Sequence, residues 1–252
     1  DMGIEVRFAK SDKVEDLESL VDSRPKAIYL ENLGNPAFNI PDYEPIVEMA
    51  RRKGVCVMVD NTFGMGGYLF RPVEWGANVS VHSATKWICG HGTALGGIVV
   101  DGGNFDWTPE KYPLLAAPSE SYHGLVYKDV FGAAAFAGRV RVDGLRNIGP
   151  SASPFNSFLM LQGLETLSLR AERCCENTLA VAEFLEKHPA VESVNYPGLK
   201  SNPYHELGCK YLKHGFGGVL TFRVKGGFEA AAALVTRLEL ILHVGSVGDA
   251  KS

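Results

Sequence analysis

The first hundred residues alternate short apolar, β-branched runs with segments whose apolar residues recur at helical spacing. The run at residues 55–59 is nearly all apolar, which is typical of a strand buried on both faces of a sheet. Parallel strands need a crossover between them, and a helix is the usual crossover. The alternation therefore predicts an α/β fold with a predominantly parallel sheet and right-handed connections.

Periodicity and turn residues place the individual elements. In the first part we predict strands at residues 4–8, 27–30, 55–59, 79–82 and 97–100, with helices at 13–21 and 43–53. Residues 101–121 are predicted to form a long loop whose large apolar side chains are buried. A long amphipathic helix over residues 155–187 then leads to strands at 191–196, 219–224 and 238–243 and helices near 205–212 and 228–236.

The second half of the chain predicts a smaller C-terminal α/β unit. We place the division inside the long helix, so that residues 1–167 form part of a large domain and residues 168–252 part of a small one. A length of 252 residues allows one large domain and a smaller second, since domains average about 150 residues. The chain begins with Asp1 and ends without a closing helix or polar tail, so we expect it to be an internal fragment.

The composition is that of an ordinary globular protein, with 46% hydrophobic and 21% charged residues. The net charge of −4 gives no basic face for nucleic acid or anionic membranes, and no apolar run reaches the roughly 20 residues that cross a bilayer. The five cysteines match neither a zinc pattern nor a disulfide framework, so we expect reduced thiols in a cytoplasmic protein. The seven histidines lack metal-ligand spacing, and no metal is expected.

Lys86 stands in the most informative stretch, residues 81–92, which leaves a buried strand and enters a loop rich in glycine. Ligands of doubly wound sheets sit at the carboxyl ends of such strands, and a lysine that is desolvated there becomes a nucleophilic amine suited to Schiff-base chemistry. Ser83 and Thr85 could bind a phosphate together with backbone N–H groups. The alternative is a surface lysine after a Ser/Thr turn.

Two further polar side chains follow strands in the same way. Asp60 ends the apolar strand, where its carboxylate could hold a pyridine nitrogen protonated; the alternative is an aspartate that caps a turn at Asn61. Asn35 follows the strand at 27–30 and could donate to a phenolate oxygen of a cofactor ring, with Glu31 supporting the loop. Asn-Pro is also a routine turn sequence.

Together these residues resemble the pyridoxal-phosphate-dependent enzymes of Cys/Met metabolism, which have the aspartate aminotransferase fold type. The resemblance covers essentially the whole chain. It implies that Lys86 binds the cofactor as a Schiff base and that Asp60 pairs with the pyridinium nitrogen. It further implies that the phosphate is bound by Ser83 and Thr85 and that the ring hydroxyl is contacted by Asn35.

Four stretches, residues 59–64, 83–92, 153–167 and 247–252, are similar to the fungal sulfhydrylase branch of this family. Cystathionine-forming and cystathionine-cleaving relatives generally have Arg where Gln162 stands. The branch implies a γ-replacement: O-acetyl-L-homoserine and sulfide, or a thiol, give homocysteine, or its thioether, and acetate, in methionine and cysteine biosynthesis. The branch usually has Asn where this chain has Ser246, which we take as a candidate contact to the substrate.

The resemblance also implies a homo-oligomer, a tetramer whose sites are shared between subunits. Other parts of the family's site would lie outside these 252 residues, so we expect the chain alone to be inactive. Two alternatives stay open within enzymes: a γ-lyase, and a relative that uses another nucleophile in secondary metabolism. A third, from a different class, is a non-catalytic interaction module that has kept the fold.

Overall fold

A four-stranded sheet organises the first half of the chain. In this computed structural model, which describes residues 3–251, the strand order is β1 (Ala27–Glu31), β2 (Cys56–Asp60), β3 (Val79–Ser83) and β4 (Gly97–Asp101). β1, β2 and β3 run parallel, and β4 is antiparallel to β3. The predicted α/β fold with a predominantly parallel sheet is therefore confirmed.

The register brings the strand ends to one edge of this sheet. Glu31 pairs with Asp60, and Asp60 pairs with Val81. The loops that follow β1, β2 and β3 consequently leave the sheet side by side, at the edge where parallel sheets bind their ligands.

Helix α2 (Tyr43–Arg52) packs against β2, and helix α1 (Val14–Glu18) packs against α2. α2 buries one apolar face, while acidic Glu44 lies in its first turn and basic side chains lie in its last turn, which suits the helix dipole. Two short 3₁₀ turns, Thr62–Gly67 and Pro72–Trp75, connect β2 to β3. The main core lies between these elements, and its fully buried members include Ile46, Met49, Val57, Val59 and Leu69.

Short helical segments follow β4. These are α3 (Pro113–Ala116), α4 (Tyr127–Phe131), α5 (Ala135–Arg139) and a π-helical segment at Val140–Ile148. The predicted loop at 101–121 thus contains the one-turn helix α3. The burial predicted for this loop is confirmed for Trp107, Tyr112 and Leu115, which form a second core cluster, and is wrong for Leu114, which is 67% exposed.

The second half contains α6 (Pro154–Glu165) and α7 (Leu167–Glu186), then β5 (Val191–Asn195), α8 (His205–Tyr211), β6 (Thr221–Val224) and α9 (Gly227–Thr236). β5 and β6 pair antiparallel in a second, two-stranded sheet. The long predicted helix is broken at Thr166, whose hydroxyl donates to the Gly163 carbonyl at 3.4 Å and competes with regular helical hydrogen bonding. The domain division at 167/168 stays a prediction.

Two predicted strands are wrong. The segments at 4–8 and 238–243 belong to neither sheet, and Phe8 and Leu240 are 88% and 81% exposed. A β-branched run forms a strand only where a partner strand accepts its backbone hydrogen bonds, and neither segment has one within residues 3–251. Asp1, Met2 and Ser252, the last residue of the stretch at 247–252, lie outside the described residues.

No helix within residues 3–251 is both long and apolar enough to cross a membrane. Across the same residues, no group of three or more His, Cys, Asp or Glu side chains is placed to bind a metal ion.

Candidate active site

Lys86 lies three residues beyond β3, in a tight turn that the backbone holds in place. Lys86 N–H donates to the Ser83 carbonyl at 3.3 Å, and Gly90 N–H donates to the Lys86 carbonyl at 2.8 Å. The side chain is half-buried, and its Nζ donates to Ser246 Oγ at 3.4 Å. The structure thus joins two of the sequence-predicted site residues that are distant in the chain.

Asp60 ends β2 at the same edge, and both of its carboxylate oxygens accept a hydrogen bond. Oδ1 accepts from Thr62 N–H at 2.9 Å, and Oδ2 accepts from the Tyr29 hydroxyl at 3.3 Å. Burial of the Tyr29 ring, with the neighbouring Asp60 charge, raises the pKa of Tyr29 to about 12. The carboxylate is therefore oriented by a local turn and by a side chain of the adjacent strand.

Ser83 and Thr85 precede Lys86 at the start of the turn, and they make different hydrogen bonds. Ser83 N–H donates to Thr62 Oγ1 at 2.8 Å, which ties the end of β3 to the turn that follows β2. The Thr85 hydroxyl accepts from Gly96 N–H at 3.1 Å and donates to the Gly96 carbonyl at 3.3 Å. A phosphate contact from Thr85 would require its hydroxyl hydrogen to turn away from that carbonyl.

Asn35 lies in the loop after β1 and is exposed. Its N–H donates to Glu31 Oε2 at 2.9 Å, so the support from Glu31 that the sequence predicted is confirmed. Two side chains of the second sheet contact the same loop. Asn195 Nδ2 donates to the Ala37 carbonyl, and Thr221 Oγ1 donates to the Pro36 carbonyl at 3.5 Å. The small sheet therefore lies against the site.

The segment that contains Ser246 contacts the turn that follows Lys86. Ala250 N–H donates to the Gly90 carbonyl at 2.9 Å. Gly248 has a positive φ of 73° and approaches Trp87 so closely that a Cβ there would lie 2.7 Å from the indole ring. Only glycine fits this approach, which brings Ser246 to the amine of Lys86.

Arg170 is a site-supporting residue that the sequence analysis missed. It lies on α7, and its guanidinium donates to the Trp87 carbonyl at 3.0 Å and to the Gly163 carbonyl at 2.7 Å. Burial lowers the pKa of this guanidinium. The guanidinium occupies the space where a Cβ of Gly90 would stand, 2.3 Å from Cζ. The glycines of the turn were a usable signal, because they mark close approaches.

His82 lies on β3 next to the site, and the fold changes its pKa. Its Nε2 lies 3.1 Å from Ser80 Oγ, and its side chain is largely buried. Burial lowers the pKa of His82, and the charge of Asp60 opposes that shift. Burial therefore favours the neutral form of His82.

The chain matches the sequence pattern of the family of Cys/Met metabolism PLP-dependent enzymes over residues 1–252. The chain belongs to this family. It is 51% identical to the homocysteine/cysteine synthase of Kluyveromyces lactis, covering 100% of this chain and 59% of that protein. It is also 51% identical to O-acetyl-L-homoserine sulfhydrylase 1 of Thermus thermophilus, covering 100% of this chain and 60% of that protein.

Solved structures agree with this assignment. A putative O-acetylhomoserine (thiol)-lyase of Campylobacter jejuni, which contains pyridoxyl-lysine monophosphate, superposes with a TM-score of 0.90 at 37% identity and covers 95% of this chain and 60% of its own. The metB structure of Corynebacterium glutamicum gives a TM-score of 0.77 at 33% identity and covers 95% and 54%. The chain spans about 60% of the length of the curated relatives it matches.

Pyridoxal phosphate is the cofactor of this family, and the donor set at the sheet edge fits it. Lys86 offers a primary amine for the aldehyde, and Asp60 offers a carboxylate for the ring nitrogen, on neighbouring strand ends. Ser83 and Thr85, which carry hydroxyls, precede Lys86 by three residues and by one residue. The site therefore combines a primary amine, a carboxylate and hydroxyl side chains.

Proposed function

We propose that the protein containing this chain catalyses a γ-replacement in which O-acetyl-L-homoserine and sulfide, or a small thiol, give homocysteine, or its thioether, and acetate. The observation that carries the proposal is the placement of Lys86 and Asp60 after neighbouring parallel strands at one sheet edge, in a chain whose relatives are named homocysteine synthases and sulfhydrylases. The reaction belongs to methionine and cysteine biosynthesis.

Lys86 has two tasks in this proposal. Its amine would attach the cofactor covalently. Once the amino-acid substrate has displaced it, Nζ would move the proton from Cα to the bound cofactor, take a proton from Cβ, and return a proton to each carbon after the sulfur has added. Pyridoxal phosphate, when bound, supplies the electron sink for the carbanion. Acetate leaves from Cγ, and the sulfur nucleophile adds at the same carbon. One base suffices because Cα and Cβ are adjacent.

The remaining site residues bind and orient. Asp60 holds a proton at the ring nitrogen by its negative charge. Ser83 and Thr85 bind the phosphate, and the Asn35 amide contacts the ring hydroxyl. Ser246, which bonds Lys86 Nζ, contacts the amino-acid substrate near the reacting amine.

Product analysis with and without sulfide tests the proposal. The protein that contains these residues is incubated with O-acetyl-L-homoserine, and acetate, homocysteine and 2-ketobutyrate are measured. Homocysteine should form in the presence of sulfide, with acetate in equal amount. Ketobutyrate and ammonia at the same rate with or without sulfide would instead identify a γ-lyase, and a protein without cofactor absorbance would identify a non-catalytic module.

The proposal extends to assembly and location. A homotetramer with shared sites is supported by the apolar side chains that α6 leaves in solvent, among which Phe155, Phe158 and Leu161 are 66%, 52% and 62% exposed. A cytoplasmic location is supported by the five cysteines, all free. Light scattering on a sizing column measures the assembly, and a monomer would contradict it.

A further inference from the structure

Tyr29 lies on the same face of the sheet as Asp60. On β1 it stands two residues before Glu31, and Glu31 pairs in register with Asp60 on β2. Side chains two residues apart on a strand point to the same face, so the Tyr29 ring extends along the sheet toward the strand end. Its hydroxyl donates to Asp60 Oδ2 at 3.3 Å.

This bond completes the hydrogen bonding of the carboxylate. The other oxygen, Oδ1, accepts from the backbone N–H of Thr62 at 2.9 Å. Within residues 3–251, Tyr29 is the side chain that donates to Asp60. One donor leaves a carboxylate free to rotate about its Cβ–Cγ bond, whereas a donor at each oxygen fixes the plane of the group.

The Tyr29 hydroxyl keeps its proton across the pH range in which enzymes work. Burial of the ring, with the charge of Asp60, raises the pKa of Tyr29 to about 12. The hydroxyl therefore stays available as a donor to Oδ2, and although Tyr29 is 58% exposed, its backbone belongs to a strand instead of a loop.

We propose that Tyr29 is a positioning residue for the cofactor's acid partner: it holds the Asp60 carboxylate in the plane in which it meets the ring nitrogen. The inference rests on the proposed role of Asp60. Tyr29 itself touches neither substrate nor cofactor in this role, and it acts through the orientation of a second residue.

Tyr29→Phe, which keeps the ring and removes the hydroxyl, tests the inference. With the carboxylate less well oriented, the ring nitrogen holds its proton less firmly, so the pH midpoint at which that nitrogen titrates in the cofactor absorbance should fall by about half a unit. Exchange of the substrate α-proton with deuterium should slow about tenfold, since the loss of one charge-assisted hydrogen bond is of that size. Covalent attachment at Lys86 should persist.

Tyr122→Phe is the matched control, because the Tyr122 hydroxyl accepts from Arg146 at 2.9 Å and has no bond to the site. It should leave both the pH midpoint and the exchange rate at the wild-type values. The melting temperature of each variant separates a local effect on the cofactor from unfolding.

A double-mutant cycle decides whether Tyr29 acts through Asp60. In an Asp60→Asn background, removal of the Tyr29 hydroxyl should change the exchange rate less than twofold. A tenfold effect in that background, or an unchanged absorbance midpoint in Tyr29→Phe alone, overturns the inference. If Asp60→Asn alone leaves the cofactor spectrum and the exchange rate unchanged, the proposed role of Asp60 fails first and the positioning role fails with it.

Discussion

The backbone of Lys86 and one carboxylate oxygen of Asp60 are held by short-range bonds in their own turns, whereas Lys86 Nζ and Asp60 Oδ2 bond the distant Ser246 and Tyr29. Lys86 is placed by backbone hydrogen bonds from Ser83 to Gly90, and Asp60 by the N–H of Thr62, two residues away. These turns lie side by side because β2 and β3 are parallel neighbours. Local turn bonds and one strand pairing therefore place both residues at the same edge of the sheet.

Lys86→Ala should remove covalent cofactor binding and at least ~10³-fold of the turnover, because the nucleophile and the proton-transferring amine are lost together. Borohydride reduction followed by peptide mapping measures the attachment, and steady-state kinetics measure the turnover. Lys200→Ala, at an exposed site, is the control and should behave as wild type. Cofactor trapped at a different lysine in the Lys86 variant would refute the assignment.

Asp60→Asn should still bind the cofactor but stall at removal of the α-proton, since a neutral amide cannot hold the ring nitrogen protonated as a carboxylate does. The amide is isosteric, so Thr62 N–H retains an acceptor. Deuterium exchange at Cα, followed by NMR, should fall by about 10²-fold or more. Exchange at the wild-type rate would show that another group protonates the ring nitrogen.

Helices α6 and α7 both contact the turn that follows Lys86. α6 approaches the turn after Lys86 so closely that a Cβ at Gly163 would lie 2.3 Å from the Cys89 carbonyl oxygen. α7 carries Arg170, whose guanidinium bonds the Trp87 and Gly163 carbonyls. The break at Thr166 lets both helices contact the same turn. This packing fixes the backbone from which the Lys86 side chain extends.

Gly163→Ala should destabilise the protein by about 1–3 kcal/mol, because a backbone carbonyl cannot move aside for the new methyl group and α6 must shift. Urea unfolding measures the change. Gly144→Ala is the matched control, since a Cβ there meets its nearest neighbour, Val140 Cγ1, at 3.9 Å. Equal stability of the two variants would show that α6 adapts without cost.

Buried tyrosines form hydrogen bonds that link segments distant in the chain. Tyr112, 8% exposed, donates to the Lys26 carbonyl at 2.8 Å and accepts from Cys56 N–H at 3.1 Å, which ties the segment after β4 to β1 and β2. Tyr196 bonds the Gly217 carbonyl at 2.8 Å beneath the second sheet. Burial raises the pKa of both hydroxyls, to about 12 for Tyr112. These tyrosines keep their protons in the folded state.

Stability should therefore fall at alkaline pH. The pKa of Tyr112 is raised on folding from 10.0 to about 12, so Tyr112 in the unfolded state loses its proton first as pH rises. The contribution of the protonated Tyr112 to the free energy of unfolding is therefore complete below pH 10 and is lost as pH rises toward 12. The loss from this residue is on the order of 2 kcal/mol. Urea unfolding at pH 8, 10 and 11 measures it, and Tyr112→Phe should show a shallower decline than wild type. An identical decline in both proteins would contradict the assignment.

The positions of the four sheet strands along the chain, and the placement of Lys86, Asp60 and Asn35 after strands, could be predicted from the sequence. The signals for these features are local: an apolar run, its spacing, and the residue that follows it. The same reasoning failed for the segments at 4–8 and 238–243, whose composition favours strands but which belong to neither sheet. Strand formation depends on a partner that local sequence does not specify.

The amino-acid sequence by itself determined the family and the chemical groups of the site, because an amine, a carboxylate and hydroxyls are properties of single residues at strand ends. Only the tertiary structure decided that β4 runs antiparallel, that Tyr29 bonds Asp60 across two strands, and that Arg170 reaches Trp87. Each of these features depends on contacts between residues that are far apart in the chain. Such contacts depend on how whole elements pack, and packing satisfies many side chains at once, so no local pattern determines it.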